Sequence, residues 1–378
     1  MIAVTRALVE EVFRAAVAAC DPARRVREAI EEPAVRALLA RGARRFGLAA
    51  GKAAIAMASG AGEVAEGLVI VPAGGGGGSR RVPAGWAVVE SAHPLPDERS
   101  VLAARAARAL VGRAGADDVV LALISGGTSA LLEEPRDGIT LDELRETTRR
   151  VMAAGAPIAE LNRVRASLSS VKAGGLVRAC AAPVVTLAVS DVIGDAIEVI
   201  GSGPTIAGPL RARDVARVIS PMIGFARAAH AELARRGIVA ELVEEPLAGD
   251  VGDVADLLAR ATGPRVAWGE PTLQVPEDHG EGGRAQQLAL ALARHLRGQT
   301  RSALVVGSDG IDGPAPAGRP APAGAYVDGA TWEAIARAGG DPARALARCD
   351  AGPALERAGA LVITGATGIN HADLVILL

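Results

Sequence analysis

Short apolar runs along this chain alternate with stretches whose apolar residues recur at helical spacing. The runs Phe46–Ala50, Gly67–Pro72, Trp86–Ser91 and Pro183–Ser190 read as strands, as does the head of Val119–Leu132, VVLALISGGTSALL. The last is apolar, breaks at Ser125-Gly126-Gly127-Thr128-Ser129 and turns apolar again, as a buried parallel strand does when it bends into a helix. Helical spacing marks 5–19 through Leu8, Val12 and Ala16, then a segment opened by Asp21-Pro22, one capped by Asp97 and running through Val111, and Leu141–Ala153. Strands alternating with helices predict an α/β fold. Further on, the arginine-rich tract from Arg211 to Gly237 reads as helical. Strands are expected at Ile238–Glu244, Arg265–Trp268, Pro271–Val275, Ser302–Val306, Ala360–Ile363 and Leu374–Leu378. Helices are expected from Arg284, with a buried stripe of Leu288, Leu292 and Leu296, and from a cap at Asp328 through Ala338.

Composition narrows this picture. At 378 residues the chain exceeds one typical core, so two domains are expected, the second beginning near the end of the arginine-rich tract. Half of the residues are apolar, but with three Trp, one Tyr and three Phe the core must be built from Ala, Val and Leu, and no base-stacking surface is available. A net charge of −2 gives no reason to expect nucleic acid or an acidic membrane as partner. Cys20, Cys180 and Cys349 are too few and too scattered for a disulfide framework or a zinc site. Glu10 and Glu11 interrupt the N-terminal apolar pattern, unlike a secretory signal, and no run reaches membrane-spanning length, so a soluble cytoplasmic protein is expected. Among 41 Lys and Arg residues only Lys52 and Lys172 are lysine, which hints that a compact ammonium is wanted at those two places.

Candidate chemistry collects where strands end. Glycines at 126 and 127 let backbone N–H groups approach an anion, and Ser125, Thr128 and Ser129 add hydroxyls, so the turn reads as a phosphate cradle or as an ordinary strand-to-helix turn. Gly51-Lys52 follows a strand and opens a helix like a truncated phosphate loop, without the full GxxxxGK[ST] pattern. Gly74–Gly78 reads mainly as a surface loop, and His93 as a turn-fixing hydrogen-bond partner before it reads as a catalyst. Asp191 and Asp195 just past a strand suit metal binding or proton handling, with capping duty as the alternative; Asp309 and Asp312 lie in a second glycine loop. Arg284, behind Gly282-Gly283 and on the apolar face of its helix, is costly there unless an anion or carboxylate meets it.

Taken in order, Gly51-Lys52-Ala53, His93-Pro94 with Pro96-Asp97, SGGTSALL at 125–132, NRVRASLS at 162–169, Lys172 with Gly174-Gly175, SDVIGD at 190–195, GSGPT at 201–205, GEPTLQV at 269–275, GGRAQQ at 282–287, SDGIDG at 308–313 and TGATGIN at 364–370 span nearly the whole chain. The set resembles the glycerate kinases of the second type. That resemblance implies a larger Rossmann-like N-terminal α/β domain at 1–236, a smaller MOFRL-like α/β domain at 237–378, and a site in the cleft between them. It implies ATP-dependent phosphorylation of D-glycerate, typically to 2-phosphoglycerate, with Mg²⁺. Lys52, Asp191 and Arg284 fall at the family's catalytic positions, 125–129 at its phosphate loop, and Asp191, Asp195 and Asp309 become candidate metal ligands. The oligomeric state stays open, a homodimer included. Departures from the family pattern put substrate identity and turnover in question: Thr128 for a third glycine, Ala285 and Gln287 for an amide and a carboxylate, Ala166 and Ser167 for a basic residue and a His, and the glycine run for a longer loop. A non-catalytic binding homologue is therefore one alternative. A hydroxypyruvate reductase is another, against which stands the lack of a dinucleotide-binding glycine fingerprint.

Overall fold

The computed structural model describes residues 5–74, 81–155, 158–178, 180–314 and 320–378. Of the expected glycine loop 74–78 only Gly74 falls among them. The chain divides into two compact units, Asp21–Met222 and a second made of Ile223–Leu378 with the N-terminal stretch ending at Cys20.

In the unit Asp21–Met222, β1 (Arg45–Ala50), β2 (Glu66–Pro72), β3 (Trp86–Ser91), β4 (Val119–Ile124), β5 (Val184–Val189) and β6 (Val215–Ser220) form one sheet in the order β3-β2-β1-β4-β5-β6. Every pairing is parallel. This is the doubly wound Rossmann order, with the winding reversed between β1 and β4. β4 and β5 are buried at every position because helices cover both faces, so they read as continuous apolar runs. Alternate residues feed two cores. Phe46, Leu48, Val120 and Ala122 pack with Ala103, Ala107 and Leu110 of helix Glu98–Gly112. Ala49, Leu121, Leu123 and Leu187 pack with Val26 of helix Pro22–Ile30 and Met57 of helix Ala54–Ser59. Gly47 and Gly67 make room for the Trp86 indole, since a Cβ on either would lie 2.4 Å from ring atoms.

Register fixes what the sheet presents. Ala50 lies opposite both Ile70 and Ile124, and Ile124 lies opposite Ala188. Gly51-Lys52, Ser125 and Ser190-Asp191 therefore leave the sheet at one edge, beside the reversal point.

The tract 211–237 is not helical throughout. Val215–Ser220 is the edge strand β6, and the helix runs only over Gly224–Arg235. An edge strand keeps one side in solvent, so Arg217 is tolerated there and hides the strand pattern. Helix Gly224–Arg235 belongs to the other unit. Phe225 meets Phe13 of helix Arg6–Ala19 edge-on, with ring centroids 5.7 Å apart at 82°, and Arg236 pairs with Glu11 at 2.7 Å. Compactness thus divides the chain at 222/223 and returns the first helix to the second unit, whereas a single cut at 236/237 was expected.

That unit carries β7 (Glu241–Leu242), β8 (Arg265–Gly269), β9 (Ser302–Gly307), β10 (Gly324–Asp328), β11 (Leu361–Val362) and β12 (Asp373–Leu377), ordered β11-β10-β9-β12-β8-β7. Only the β7–β8 pairing is parallel. Pro271–Val275 forms no strand and touches its neighbour through a single bridge, Thr272 to Asp250. The helix expected from Asp328 spans Thr331–Arg337, with β10 ahead of it where no strand was expected. Helix Arg284–Leu296 is buried at all positions from Ala285 to Ala293 and at Leu296, so the three-leucine stripe is one part of a helix enclosed by the sheet and by helices Val251–Ala259 and Ala351–Arg357. Among the described residues no helix is long and apolar enough to cross a membrane.

Candidate active site

At the edge of the parallel sheet, most polar groups of the turn after β4 are spent on holding β1 and β4 together. Lys52 N–H donates to Gly126 O at 2.9 Å, and Ala53 N–H donates to Ser125 Oγ at 3.2 Å. The Thr128 hydroxyl is buried and engages Ala50 O and Ser125 O at 2.8 and 2.7 Å. The Ser129 hydroxyl meets Ser202 Oγ at 2.7 Å. Gly126 and Gly127 remain, and among the described residues their N–H groups meet no acceptor. A Cβ on Gly126 would lie 2.3 Å from Asp191 Oδ2, so that carboxylate packs against the bare backbone. Gly127 has φ +89°, a conformation that favours glycine, and a Cβ there would lie 3.2 Å from His93 Cδ2 and 3.4 Å from Lys52 Cγ. Lys52, His93, the glycine turn and Asp191 therefore share one surface at the switch point between β1 and β4. Lys52 and Asp191 are exposed. His93 also reaches solvent, but desolvation of its packed edge, followed by the Lys52 charge, holds the imidazole below its usual range. No ring hydrogen bond fixes it to its own turn among the described residues.

In the second unit an open cavity of about 250 Å³ lies against the ends of β8, β9 and β12, lined among others by Glu270, Arg284, Asp309, Asp312, Asn370 and Asp373. Arg284 Nε donates to Asp373 Oδ2 at 2.7 Å, and its Nη2 lies 3.7 Å from Glu270 Oε1. Burial pushes the Asp373 carboxyl up to about 6; the hydrogen bond and charge of Arg284 oppose that rise, and Asp312 and Glu270 add to it. Desolvation acts against the Arg284 charge, but the Asp373 hydrogen bond and the nearby carboxylates leave it raised overall, so Asp373 is the member of the pair that loses its charge as pH falls. Asp312 does a different job. Its carboxylate accepts from Ala285 N–H and Gln286 N–H at 2.9 and 2.8 Å, capping the helix that carries Arg284. A Cβ on Gly283 would lie 2.2 Å from Asp312 Oδ1, so the GGR and GID segments are two halves of one packing arrangement.

Of the residues singled out in the sequence, Lys52, Asp191 and 125–129 come together in one unit, while Arg284 and Asp309 lie in the other. Asp195 has φ +52° and accepts from Met222 N–H at 2.9 Å, tying its turn to the segment after β6, and Asp309 accepts from Ile311 N–H at 3.0 Å within its own turn, so both carboxylates are engaged by backbone. Among the described residues no group of three or more His, Cys, Asp or Glu side chains could hold a metal ion. The donor set fits Mg²⁺ only as an ion carried by phosphate oxygens with one protein carboxylate, a mode that Mg²⁺ commonly adopts. Asp373 and Glu270 escaped sequence reading. The signal for Asp373 was a lone acid opening the apolar run DLVIL.

Residues 8–233 match a family model described as a domain of unknown function, DUF4147, and residues 265–373 match the MOFRL family. D-glycerate 2-kinase of Thermotoga maritima is 34% identical, over 87% of this chain and 89% of its own. The chain belongs to the glycerate 2-kinase family. Glycerate 2-kinase of Pyrococcus horikoshii is 31% identical over 87% of this chain and 86% of its own. The crystal structure of glycerate kinase from Thermotoga maritima superposes with a TM-score of 0.88 at 30% identity, covering 98% of both chains. A putative hydroxypyruvate reductase of Agrobacterium vitis is 33% identical over 98% of this chain and 93% of its own.

Three departures from the glycerate 2-kinase pattern take on a different meaning in the structure. The Thr128 side chain faces β1, Ala285 is fully buried in the core of its unit, and Gln287 is nearly so, its Nε2 donating to Leu346 O at 2.7 Å. Ala285 and Gln287 are absent from the lining of the Arg284 cavity. All three side chains are buried in their own unit.

Proposed function

We propose that this chain transfers the γ-phosphoryl group of ATP to D-glycerate, giving 2-phosphoglycerate. The observation that supports it most is the strand edge where Lys52, the open N–H groups of Gly126 and Gly127, and Asp191 lie together at the switch point of a Rossmann-order sheet. Phosphoryl transfer asks little covalent chemistry of the protein and relies on positioning and charge neutralisation. Lys52 and the glycine N–H groups would neutralise phosphate oxygens, and Asp191 would take the substrate hydroxyl proton or hold Mg²⁺. Arg284, oriented by Asp373, would bind the glycerate carboxylate or the migrating phosphoryl group. Mg²⁺, when bound with ATP, supplies charge neutralisation on the phosphates.

The reading as a non-catalytic homologue rested on Thr128, Ala285 and Gln287, and it weakens because those side chains face away from the candidate sites. A reductase reading lacks support at the first βα turn, where Gly51-Lys52-Ala53 stands in place of a dinucleotide-binding glycine fingerprint. The test is a panel of small hydroxy acids assayed for ADP release with ATP and Mg²⁺, the phosphorylated carbon read by NMR. D-glycerate should give the highest kcat/KM with phosphate on C2. No ADP release together with no binding of ATP or glycerate would remove the proposal, and phosphate on C3 would correct the product.

A further inference from the structure

A buried ion pair lies behind the turn after β4. The Lys172 and Glu133 side chains are 1% and 0% exposed, with Nζ 2.8 Å from Oε2. Nζ also donates to the Ser129 carbonyl at 2.7 Å. Around this point the chain is laced together: Ala173 N–H donates to Ser202 O at 3.0 Å, Gly174 N–H donates to Gly203 O at 2.8 Å, and Ser202 Oγ meets the Ser129 hydroxyl. Ser129 is thus held twice, by its carbonyl through Lys172 and by its hydroxyl through Ser202. Thr128 pins the same short helical turn to β1.

A fully enclosed ion pair is a poor device for stability alone, because two charges lose their hydration and an apolar pair of similar volume often serves as well or better. The identity of the cation points the same way. Lys172 is one of two lysines in a chain that otherwise uses arginine, and its compact ammonium carries rotatable donors, one aimed at the Glu133 carboxylate and one at the Ser129 carbonyl.

We propose that Lys172, with Glu133 as its counter-ion, is a positioning residue that fixes the Ser129 carbonyl and so keeps the Gly126 and Gly127 N–H groups turned outward. This rests on the reading of 125–129 as the nucleotide-phosphate loop. Lys172 touches no substrate; it acts through the peptide planes of the turn.

The experiment uses the full chain in two forms, the charge-neutral double variant Lys172→Met/Glu133→Gln and the milder Ser202→Ala. Hydrogen exchange of the peptide covering 125–132, the thermal midpoint and both KM values are measured. In the double variant the nucleotide-free loop should exchange about tenfold faster or more while the fold is kept. KM for ATP should rise about tenfold, with KM for glycerate within about twofold. Ser202→Ala should shift exchange and KM for ATP in the same direction by less, with an unchanged midpoint. Wild-type loop exchange and wild-type KM for ATP in the folded double variant would overturn the proposal. If the double variant does not fold, unchanged loop exchange in Ser202→Ala overturns it and faster exchange supports it. Wild-type exchange with and without ADP separates the two ideas. Lack of ADP protection at 125–132 removes the phosphate-loop reading, whereas loosening of the nucleotide-free loop still decides the role of Lys172.

Discussion

The edge of the parallel sheet and the edge of the mixed sheet both carry glycine turns, but they arm them with opposite electrostatics. Beside β1 and β4 the cation is Lys52, exposed, next to N–H groups that have no acceptor among the described residues. Beside β8 and β12 the cation is Arg284, already bound to Asp373 at 2.7 Å and overlooked by Glu270. An exposed ammonium beside open donors has its strongest interaction still to make, so it gains most when an anion arrives. A guanidinium held by a carboxylate has lost part of its freedom beforehand, and what it offers a ligand is direction. The first edge should therefore govern whether chemistry happens, and the second how well the reactant is aimed.

The largest effect expected from this contrast is at Lys52. Lys52→Ala should lower kcat by about 10³-fold or more, since Lys52 is the cation whose side chain packs against Gly127. Its thermal midpoint should stay at the wild-type value, because the side chain is exposed and has no ion-pair partner among the described residues. Retained activity would reduce the β1 turn to a structural feature. Arg284→Ala should come next, at about 10²-fold in kcat/KM for glycerate, as for loss of one preorganised donor. A KM for ATP that moved while glycerate binding stayed constant would reverse the division of labour between the two edges.

Asp373 sharpens the comparison through pH. Its carboxyl titrates at about 6 in the folded protein against a reference of 3.8, so the folded state holds this proton more tightly. Stability from this group is highest below the unfolded value and falls as pH rises through about 6, by roughly 3 kcal/mol at most from the size of the shift. Activity should run the other way. Below about 6 a protonated Asp373 no longer balances Arg284, and kcat/KM for glycerate should drop along an acid limb. Asp373→Asn should lower the plateau and erase that limb, read from rate profiles between about pH 5 and 8. A limb that survives the substitution belongs to another group.

The two edges also differ in how far the sequence disclosed them. β4 and its turn were legible because a strand covered on both faces reads as an unbroken apolar run, and the glycines stand where it breaks. β6 was not, because an edge strand tolerates Arg217, and arginine at such a place imitates a helix face. At the second edge Arg284 was legible as a cation on an apolar stripe, but its partner Asp373 lies 89 residues further along, and no local pattern encodes a contact of that range. The same limit hid Glu133 beneath Lys172, and it returned the helix at 6–19 to the unit at the other end of the chain.

Thr128 gives the smallest effect. In the sequence it stood as a hydroxyl offered to phosphate and as a departure from a third glycine. In the structure the hydroxyl is buried against Ala50 O and Ser125 O, and the Cβ fills the space that leaves room only for glycine at 201, where an added Cβ would lie 2.8 Å away. Thr128→Ala removes one buried hydrogen bond and should cost about 1 kcal/mol of stability, seen as a lower denaturant midpoint. Because the N–H groups of Gly126 and Gly127 are untouched, KM for ATP should stay within about twofold. A tenfold or larger rise in KM for ATP, with little loss of stability, would mean that the Thr128 hydroxyl turns toward the nucleotide when it binds, and the first edge would then hold its ligand with a side chain as well as with backbone.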